Sequence, residues 1–207
     1  MALVTDIREN RGIVEIQADG QTVARVRRSH FAKCPAEVGA EIDPEAYLSR
    51  VAAVQFADAY EAALTSLDFC ARSARDIESA LRRKGYVQPA IEAVVARLTE
   101  NGLIDDARFA RRMAEVQSKK PVGVYAFKRR LRAKGISEDD AEEALCAFDD
   151  AQQRSAALDA GRSLYRKYAA LPRREARAKL SQALSRRGFP WDAISAAVDE
   201  IAGDEEE

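Results

Sequence analysis

The sequence predicts a mainly α protein: tandem three-helix repeats in an elongated, curved array, preceded by a small N-terminal β-hairpin region. Three observations predict it. An internal repeat is anchored on the basic-glycine steps Lys84-Gly85, Lys134-Gly135 and Arg187-Gly188. Residues that start and stop helices stand at the ends of the apolar stripes around those steps. Near the N-terminus a β-branched stretch lacks the helical period.

The hairpin comes first. Gly12-Ile13-Val14-Glu15-Ile16-Gln17 is β-branched, Asp19-Gly20 is a tight-turn dipeptide, and Gln21-Thr22-Val23-Ala24-Arg25-Val26 follows. Two strands joined by a two-residue turn read this way. A third short strand or a loop reaches Glu41-Ile42. Asp43-Pro44 then opens the helical region, with Asp as N-cap and Pro in the first helical position.

The repeat decides the rest. Four residues before the glycines stand Leu81, Leu131 and Leu184, and eight before stand Ile77, Phe127 and Leu180. One after come Tyr86, Ile136 and Phe189. Six, ten and thirteen after come Ile91/Ala141/Ile194, Val95/Leu145/Val198 and Leu98/Phe148/Ile201. Offsets of three and four place these side chains on one face of a helix. The glycines Gly85, Gly135 and Gly188 are structural: a helix ends where a left-handed residue is needed, and a cation before it favours the helix dipole. Ser73-Ala74-Arg75-Asp76 and Ser137-Glu138-Asp139-Asp140 read as capping boxes, and Pro190 precedes a helix starting at Trp191. A preceding helix completes each unit, over 60–72, 105–118 and 151–168, with Asn101-Gly102 ending the first unit and Asp105-Asp106 capping the next helix. The chain therefore divides into 1–42 (hairpin region), 43–100, 101–150 and 151–203 (helical units) and an acidic tail, 204–207. One helix pair cannot bury its apolar face alone, so the units stack.

Composition narrows the function. Lys and Arg number 33 against 34 Asp and Glu, a net charge of −1, but the charges are segregated. No acid falls between Glu115 and Glu138, where Lys119, Lys120, Lys128, Arg129, Arg130, Arg132 and Lys134 lie. Only Glu175 interrupts the basic run from Arg162 to Arg187, and acids gather at 138–143, 149–150 and 204–207. Distinct charged faces result. Cys34, Cys70 and Cys146 are few, odd in number and without CxxC spacing, and His30 is the only histidine. A disulfide framework, a zinc site and a His-based triad are therefore not indicated. No phosphate-binding glycine loop or HExxH motif occurs, no apolar run approaches a membrane span, and Met1–Asp6 lacks the start of a signal peptide. The expectation is a cytoplasmic, non-enzymatic monomer without metal or cofactor.

Three motifs resemble the RecX family. They are Ser73-Ala74-Arg75-Asp76-Ile77 leading into Leu81-Arg82-Arg83-Lys84-Gly85-Tyr86, then Leu103-Ile104-Asp105-Asp106-Ala107-Arg108-Phe109-Ala110-Arg111, then Leu131-Arg132-Ala133-Lys134-Gly135-Ile136. The third unit's Arg186-Arg187-Gly188-Phe189 is also similar. The resemblance covers about residues 60–200. It departs at Val124-Tyr125-Ala126, where the family often has Pro-Arg-Arg after the glycine, so no binding role is carried to those positions.

The resemblance implies a regulator that binds RecA on its single-stranded-DNA filament. Such a regulator inhibits the ATPase, strand-exchange and coprotease activities of RecA, by capping the filament or occupying its groove. The basic surface is the candidate partner site: Arg82, Arg83, Lys84, Arg108, Arg111, Arg112, Lys128, Arg129, Arg130, Arg132, Lys134, Arg173, Arg174 and Arg177. Solvated, internally paired helix faces are the competing account of any one of them. Ile104, Phe109 and Met113 read as core, and Tyr86, Phe189 and Trp191 as packing against the turns rather than stacking on bases. A nucleic-acid module acting directly on DNA and a passive protein scaffold are the alternatives, the former disfavoured by the near-zero net charge.

Overall fold

The structure, a computed structural model, describes residues 1–118 and 120–203; the acidic tail, 204–207, lies outside the described residues. The chain forms two compact units, Met1–Asp105 and Asp106–Glu207.

The first unit opens with β1 (Ala2–Asn10), β2 (Ile13–Ala18), β3 (Gln21–Arg27), a short α1 (Arg28–Phe31) and β4 (Glu41–Ile42). They make an antiparallel sheet in the order β3-β2-β1-β4. Both hairpins turn on two residues of positive φ, Arg11 and Gly12 (50° and 77°) and Asp19 and Gly20 (49° and 76°). That geometry matches the twist of the strands. The β2–β3 hairpin is the one expected, and of the strand or loop left open at Glu41-Ile42 the structure has the strand. Strand β1 is not: only Val4 of its nine residues is buried, so its sequence shows no alternation, and Arg11-Gly12 is a less familiar turn pair than Asp19-Gly20.

The long helix α2 (Pro44–Phe69) is capped by Asp43, whose carboxylate accepts from Glu45 N–H at 3.0 Å. It unites the helix start expected at Pro44 with the lead-in helix expected at 60–72. Tyr47, Val51, Gln55, Ala59 and Ala63 form one buried stripe at every fourth position. The early part of the stripe packs with Val4, Val14, Ile16, Ala24 and Val26 of the sheet. The later part packs on α3 (Ala74–Arg83) and α4 (Gln88–Glu100) through Ile77, Leu81, Ile91, Val94 and Leu98. One helix thus belongs to two cores.

The second unit holds two further three-helix groups. The first is α5 (Asp106–Gln117), α6 (Val124–Ala133) and α7 (Glu138–Leu145). The other is α8 (Asp150–Tyr165), α9 (Arg173–Arg186) and α10 (Trp191–Ala202). Their cores repeat the first. Phe127 and Leu131 correspond to Leu180 and Leu184, and all four are fully buried. Phe109 and Met113 are partly buried beside Ala110 and Ala114. Serines 73 and 137 accept from Asp76 N–H and Asp140 N–H, as the capping boxes require. One buried position escaped the periodicity. Nine residues after each glycine, Val94, Ala144 and Ala197 are buried, whereas Val95 and Leu145, one further on, are only partly so.

All three turns share one geometry. Gly85, Gly135 and Gly188 have φ of 82°, 79° and 80°. Tyr86, Ile136 and Phe189 donate N–H back to Leu81, Leu131 and Leu184, while the glycine N–H groups reach Arg82, Arg132 and Ser185. This paired closure is the Schellman motif, with the residue after glycine packed over the last helical turn.

The turn at Gly188 carries an additional constraint. Gly123 N–H donates to Arg187 carbonyl at 3.3 Å, Tyr125 N–H to Gly188 carbonyl at 2.9 Å, and Arg129 Nη2 to Arg186 carbonyl at 3.3 Å. Buried Gln153 accepts from Val124 N–H at 2.9 Å. The uncapped start of α6 therefore finds its acceptors on α8 and on the α9–α10 turn. A Cβ on Gly188 would lie 2.2 Å from Ala126 N, and one on Gly123 2.1 Å from Gly188 C; a Cβ on Gly85 would meet only Ile13 Cδ1, at 3.8 Å. Two kinds of glycine follow. Gly85→Ala should cost about 1–2 kcal/mol for the left-handed backbone alone. Gly188→Ala must also push the α6 backbone away from the turn and should cost about 3 kcal/mol or more. Urea unfolding of the two variants measures the difference, and equal losses would refute the backbone contact.

Candidate partner-binding surface

The basic residues singled out by the sequence fall into three groups once their surroundings are known. On the first unit, Arg82, Arg83 and Lys84 close α3 and are all exposed. Arg82 donates to Gln88 Oε1 at 2.9 Å, a neutral partner that leaves its charge uncompensated. Lys84 is the C-cap, and its carbonyl accepts from Arg27 Nε at 3.2 Å. The Arg27 guanidinium also lies 5.6 Å from the centre of the Tyr86 ring. The backbone of this basic tip is thus held from β3 while its side chains face solvent.

The second group is committed internally. Lys128 pairs with Glu138 and, at 3.4 Å, with Glu142; Arg132 also reaches Glu138, at 3.0 Å, and Arg111 reaches Glu143 at 3.0 Å. The acids all come from α7. Hydrogen bonding from Lys128 and Arg132 holds the Glu138 carboxyl below its usual range, and Glu138 in turn raises the Lys128 ammonium. Arg173 and Arg177 are engaged elsewhere. Both donate to the Ala202 carbonyl, at 3.2 and 2.8 Å, and Arg177 pairs with Asp199 at 2.5 Å. They complement the carbonyl end of α10.

The third group remains outward. Arg112 on α5, Arg130 on α6 and Arg174 on α9 are exposed and have no ion-pair partner among the described residues. Arg129 anchors the Arg186 carbonyl. Arg108 on α5 is exposed, and Lys134 is the half-buried C-cap of α6. Of the fourteen positions, those nearest the α7 acids and the α10 terminus are structural in their contacts.

Tyr86 and Phe189 pack against their turns, 7% and 3% exposed, as expected; Trp191 does not, at 74%. It occupies the first position of α10, where Ala193 and Ile194 take the core-facing places. Tyr125 is also exposed. Sequence reasoning missed the two buried glutamines. Gln55 accepts from Val87 N–H at 2.8 Å as Gln153 does from Val124 N–H. Gln55 Nε2 also lies 3.4 Å from His30 Nδ1, and His30 Nε2 contacts Asp58 at 2.8 Å. The lone histidine is therefore satisfied structurally. Among the described residues no group of three or more His, Cys, Asp or Glu side chains is placed to hold a metal ion, and no helix is long and apolar enough to cross a membrane.

These features define a class: a modular protein of three tandem three-helix repeats behind a small sheet, with cations left over from internal pairing. Family models agree in description and in order. Those for the first, second and third three-helix domains of RecX match residues 59–98, 105–145 and 151–198. Regulatory protein RecX of Limosilactobacillus reuteri (strain DSM 20016) is 30% identical over 97% of this chain and 77% of its own length. That of Prosthecochloris aestuarii is 36% identical over 62% of this chain and 83% of its own. The Bacillus subtilis (strain 168) relative is 32% identical over 72% of this chain, which spans only 56% of that relative's length. A crystal structure of regulatory protein RecX superposes with a TM-score of 0.65 at 27% identity, covering 99% of this chain and 100% of that one. RecX from Lactobacillus salivarius gives 0.62 at 26% identity, over 72% and 97%. The chain belongs to the RecX family of regulatory proteins.

The α6–α7 charge cluster has a defined pH response. The depressed Glu138 acid stabilises the fold fully above its ordinary value of 4.5, and that contribution fades as pH falls through the lowered value. The raised Lys128 contributes fully below its ordinary 10.5 and loses its share as pH rises through the higher value. Glu138→Gln should therefore lower the urea midpoint near neutrality, with the gap to the parent closing in acid. A gap that persists undiminished well below 4.5 would show that the carboxylate charge is not its source.

Proposed function

We infer that this chain binds the RecA filament on single-stranded DNA and inhibits RecA activities, by capping the filament or by occupying its groove. Membership of a family of regulatory proteins supports the regulatory part. The observation that carries the choice of surface is the basic tip Arg82-Arg83-Lys84, solvent-facing on a backbone already held by Arg27. A rigidly presented charged patch loses little freedom on binding, and charge complementarity gives speed and selectivity. In the second unit the exposed Arg112, Arg130 and Arg174 are separate candidates for partner contact. Lys128, Arg132, Arg111, Arg173 and Arg177 are committed to internal partners and are left out of the candidate surface. In this reading the chain works in the cytoplasm, and as a monomer, the latter supported by each three-helix group closing an apolar core of its own.

RecA ATPase on single-stranded DNA, titrated with this protein, is the direct test. Inhibition well below one molecule per RecA indicates capping; inhibition only near saturation indicates groove occupation. The double variant Arg82→Glu/Arg83→Glu should need about tenfold more protein for the same inhibition, on the scale of a desolvated charged contact. Glu175→Gln should match the parent. Unchanged hydrolysis at every ratio rejects the reading.

One observation favours direct contact with DNA as a second reading. Trp191 is exposed at the start of α10, close in sequence to the exposed Arg186 and Arg187, and Tyr125 is hydrogen-bonded through its N–H to the neighbouring Gly188. Exposed aromatics among arginines stack on unpaired bases. Trp191 is the only tryptophan, so its fluorescence reports this site alone. Oligo-dT should quench it in a salt-dependent manner if the second reading holds; unaltered emission at low salt removes it.

A further inference from the structure

The first unit contains a groove that neither the repeat nor the family resemblance explains. It has a volume of about 520 Å³ and lies between the outer side of the β2–β3 hairpin and the α3–α4 turn. Its floor is aliphatic, from Ile13, Val23, Leu48 and Val87. Its cations are Arg25, Arg82, Arg83 and Lys84, and among the described residues no carboxylate lines it. A second depression of about 470 Å³ adjoins it, sharing Ile13 and Arg25 and adding Arg8 and Arg11. The one acid there, Glu15, already accepts from Gln17 and Thr22 and pairs with Arg25 at 3.2 Å, contacts that hold its carboxyl ionised below the usual range.

The walls are firm. Arg27 ties β3 to the Lys84 carbonyl, and Gln55 holds Val87 N–H from α2. An apolar floor under a cationic rim discriminates between ligands. Tyr86, the one aromatic residue lining the groove, is buried, its ring faced by Arg27 and its hydroxyl bonded to the Asp58 carbonyl at 3.1 Å. Nucleobases therefore find no stacking face, whereas an aliphatic or aromatic side chain finds a dry floor, and carboxylates beside it find cationic partners.

We propose that this groove is a docking site for an acidic segment of a partner protein, an extended peptide carrying Asp or Glu on either side of an apolar anchor. Anchor burial supplies affinity, and the rim supplies orientation and salt dependence. The proposal deepens the regulatory reading above, sharing Arg82, Arg83 and Lys84 with it, and rests on that reading only in taking the occupant to be protein.

Fluorescence anisotropy of the full chain tests it. The probes are a fluorescein-labelled peptide with Asp and Glu flanking a Leu-Phe pair, the same peptide with Ser for Leu and Phe, and labelled oligo-dT. The Leu-Phe peptide should bind about tenfold more tightly than its Ser counterpart. Arg82→Glu/Arg83→Glu and Ile13→Ser should each weaken it by about fivefold or more, and Arg166→Glu at the exposed end of α8 should not. Circular dichroism establishes that each variant is folded; Arg82 and Arg83 are both exposed. No binding of the Leu-Phe peptide, or binding that ignores the groove variants, overturns the proposal. Preferential binding of oligo-dT lost in those same variants overturns it in favour of nucleic acid. The same proteins are then assayed on RecA. Groove-dependent peptide binding without any inhibition of RecA leaves the groove standing and removes RecA as its partner. Inhibition by a groove variant that no longer binds peptide separates the two sites.

Discussion

The left-handed glycine that closes the second helix of each repeat is the constraint on which the remaining structure depends. At Gly85, Gly135 and Gly188 the chain must reverse within one residue and still satisfy the last helical carbonyls. Only a residue without Cβ does so cheaply. The reversal places Tyr86, Ile136 and Phe189 over the helix just ended and sets the direction of the next one, so every core has the same corner. Electrostatics adds a consequence. Carbonyls accumulate at that corner, and cations before the glycine stabilise them. The basic tips that look like a recognition device are first of all helix terminators.

What separates the repeats is the helix that follows. Helix α7 begins with Glu138, Asp139 and Asp140, which its own N-terminus favours, and it turns Glu138, Glu142 and Glu143 toward Lys128, Arg132 and Arg111. Helix α4 begins Gln88-Pro89 with no acid in its first turn, and Glu92 takes a hydrogen bond from Gln88. The tip of the first unit consequently keeps its cations for solvent while that of the second group neutralises much of its own. Near-identical cores thus carry different surfaces, because surface choices in short helices cost little stability and are free to diverge.

Much of this was legible in the sequence, and the exceptions have a common cause. Apolar spacing, serine caps and basic-glycine steps are local, so the helix pair around each glycine could be read directly. The longer α2 could not, because its stripe changes partner midway and uses Gln55 and small alanines, which carry little hydrophobic signal. The same weakness hid the buried Ala144 and Ala197, and strand β1 with its single buried residue. For the surface, the basic residues were visible but their partners were not. Lys128 and Glu138 are ten positions apart and meet only because α6 and α7 fold back on each other. Trp191 read as packing because it neighbours a turn, yet its place at the first residue of α10 leaves the core to Ala193 and Ile194.

Two junctions show how directional polar bonds fix the way elements are joined. Gln55 receives Val87 N–H and Arg27 holds the Lys84 carbonyl; Gln153 receives Val124 N–H and Arg129 holds the Arg186 carbonyl. In both, a buried amide satisfies a backbone group near an uncapped helix start, and an arginine from another element secures the basic turn. Such bonds are directional, and leaving one unmade in a buried setting costs more than making it returns, so they specify one arrangement rather than merely favouring contact. The result is a basic tip with an immobilised backbone and exposed side-chain heads. Such a division of labour lowers the cost of recognition: the fold orders the backbone in advance, and the charged heads stay in solvent.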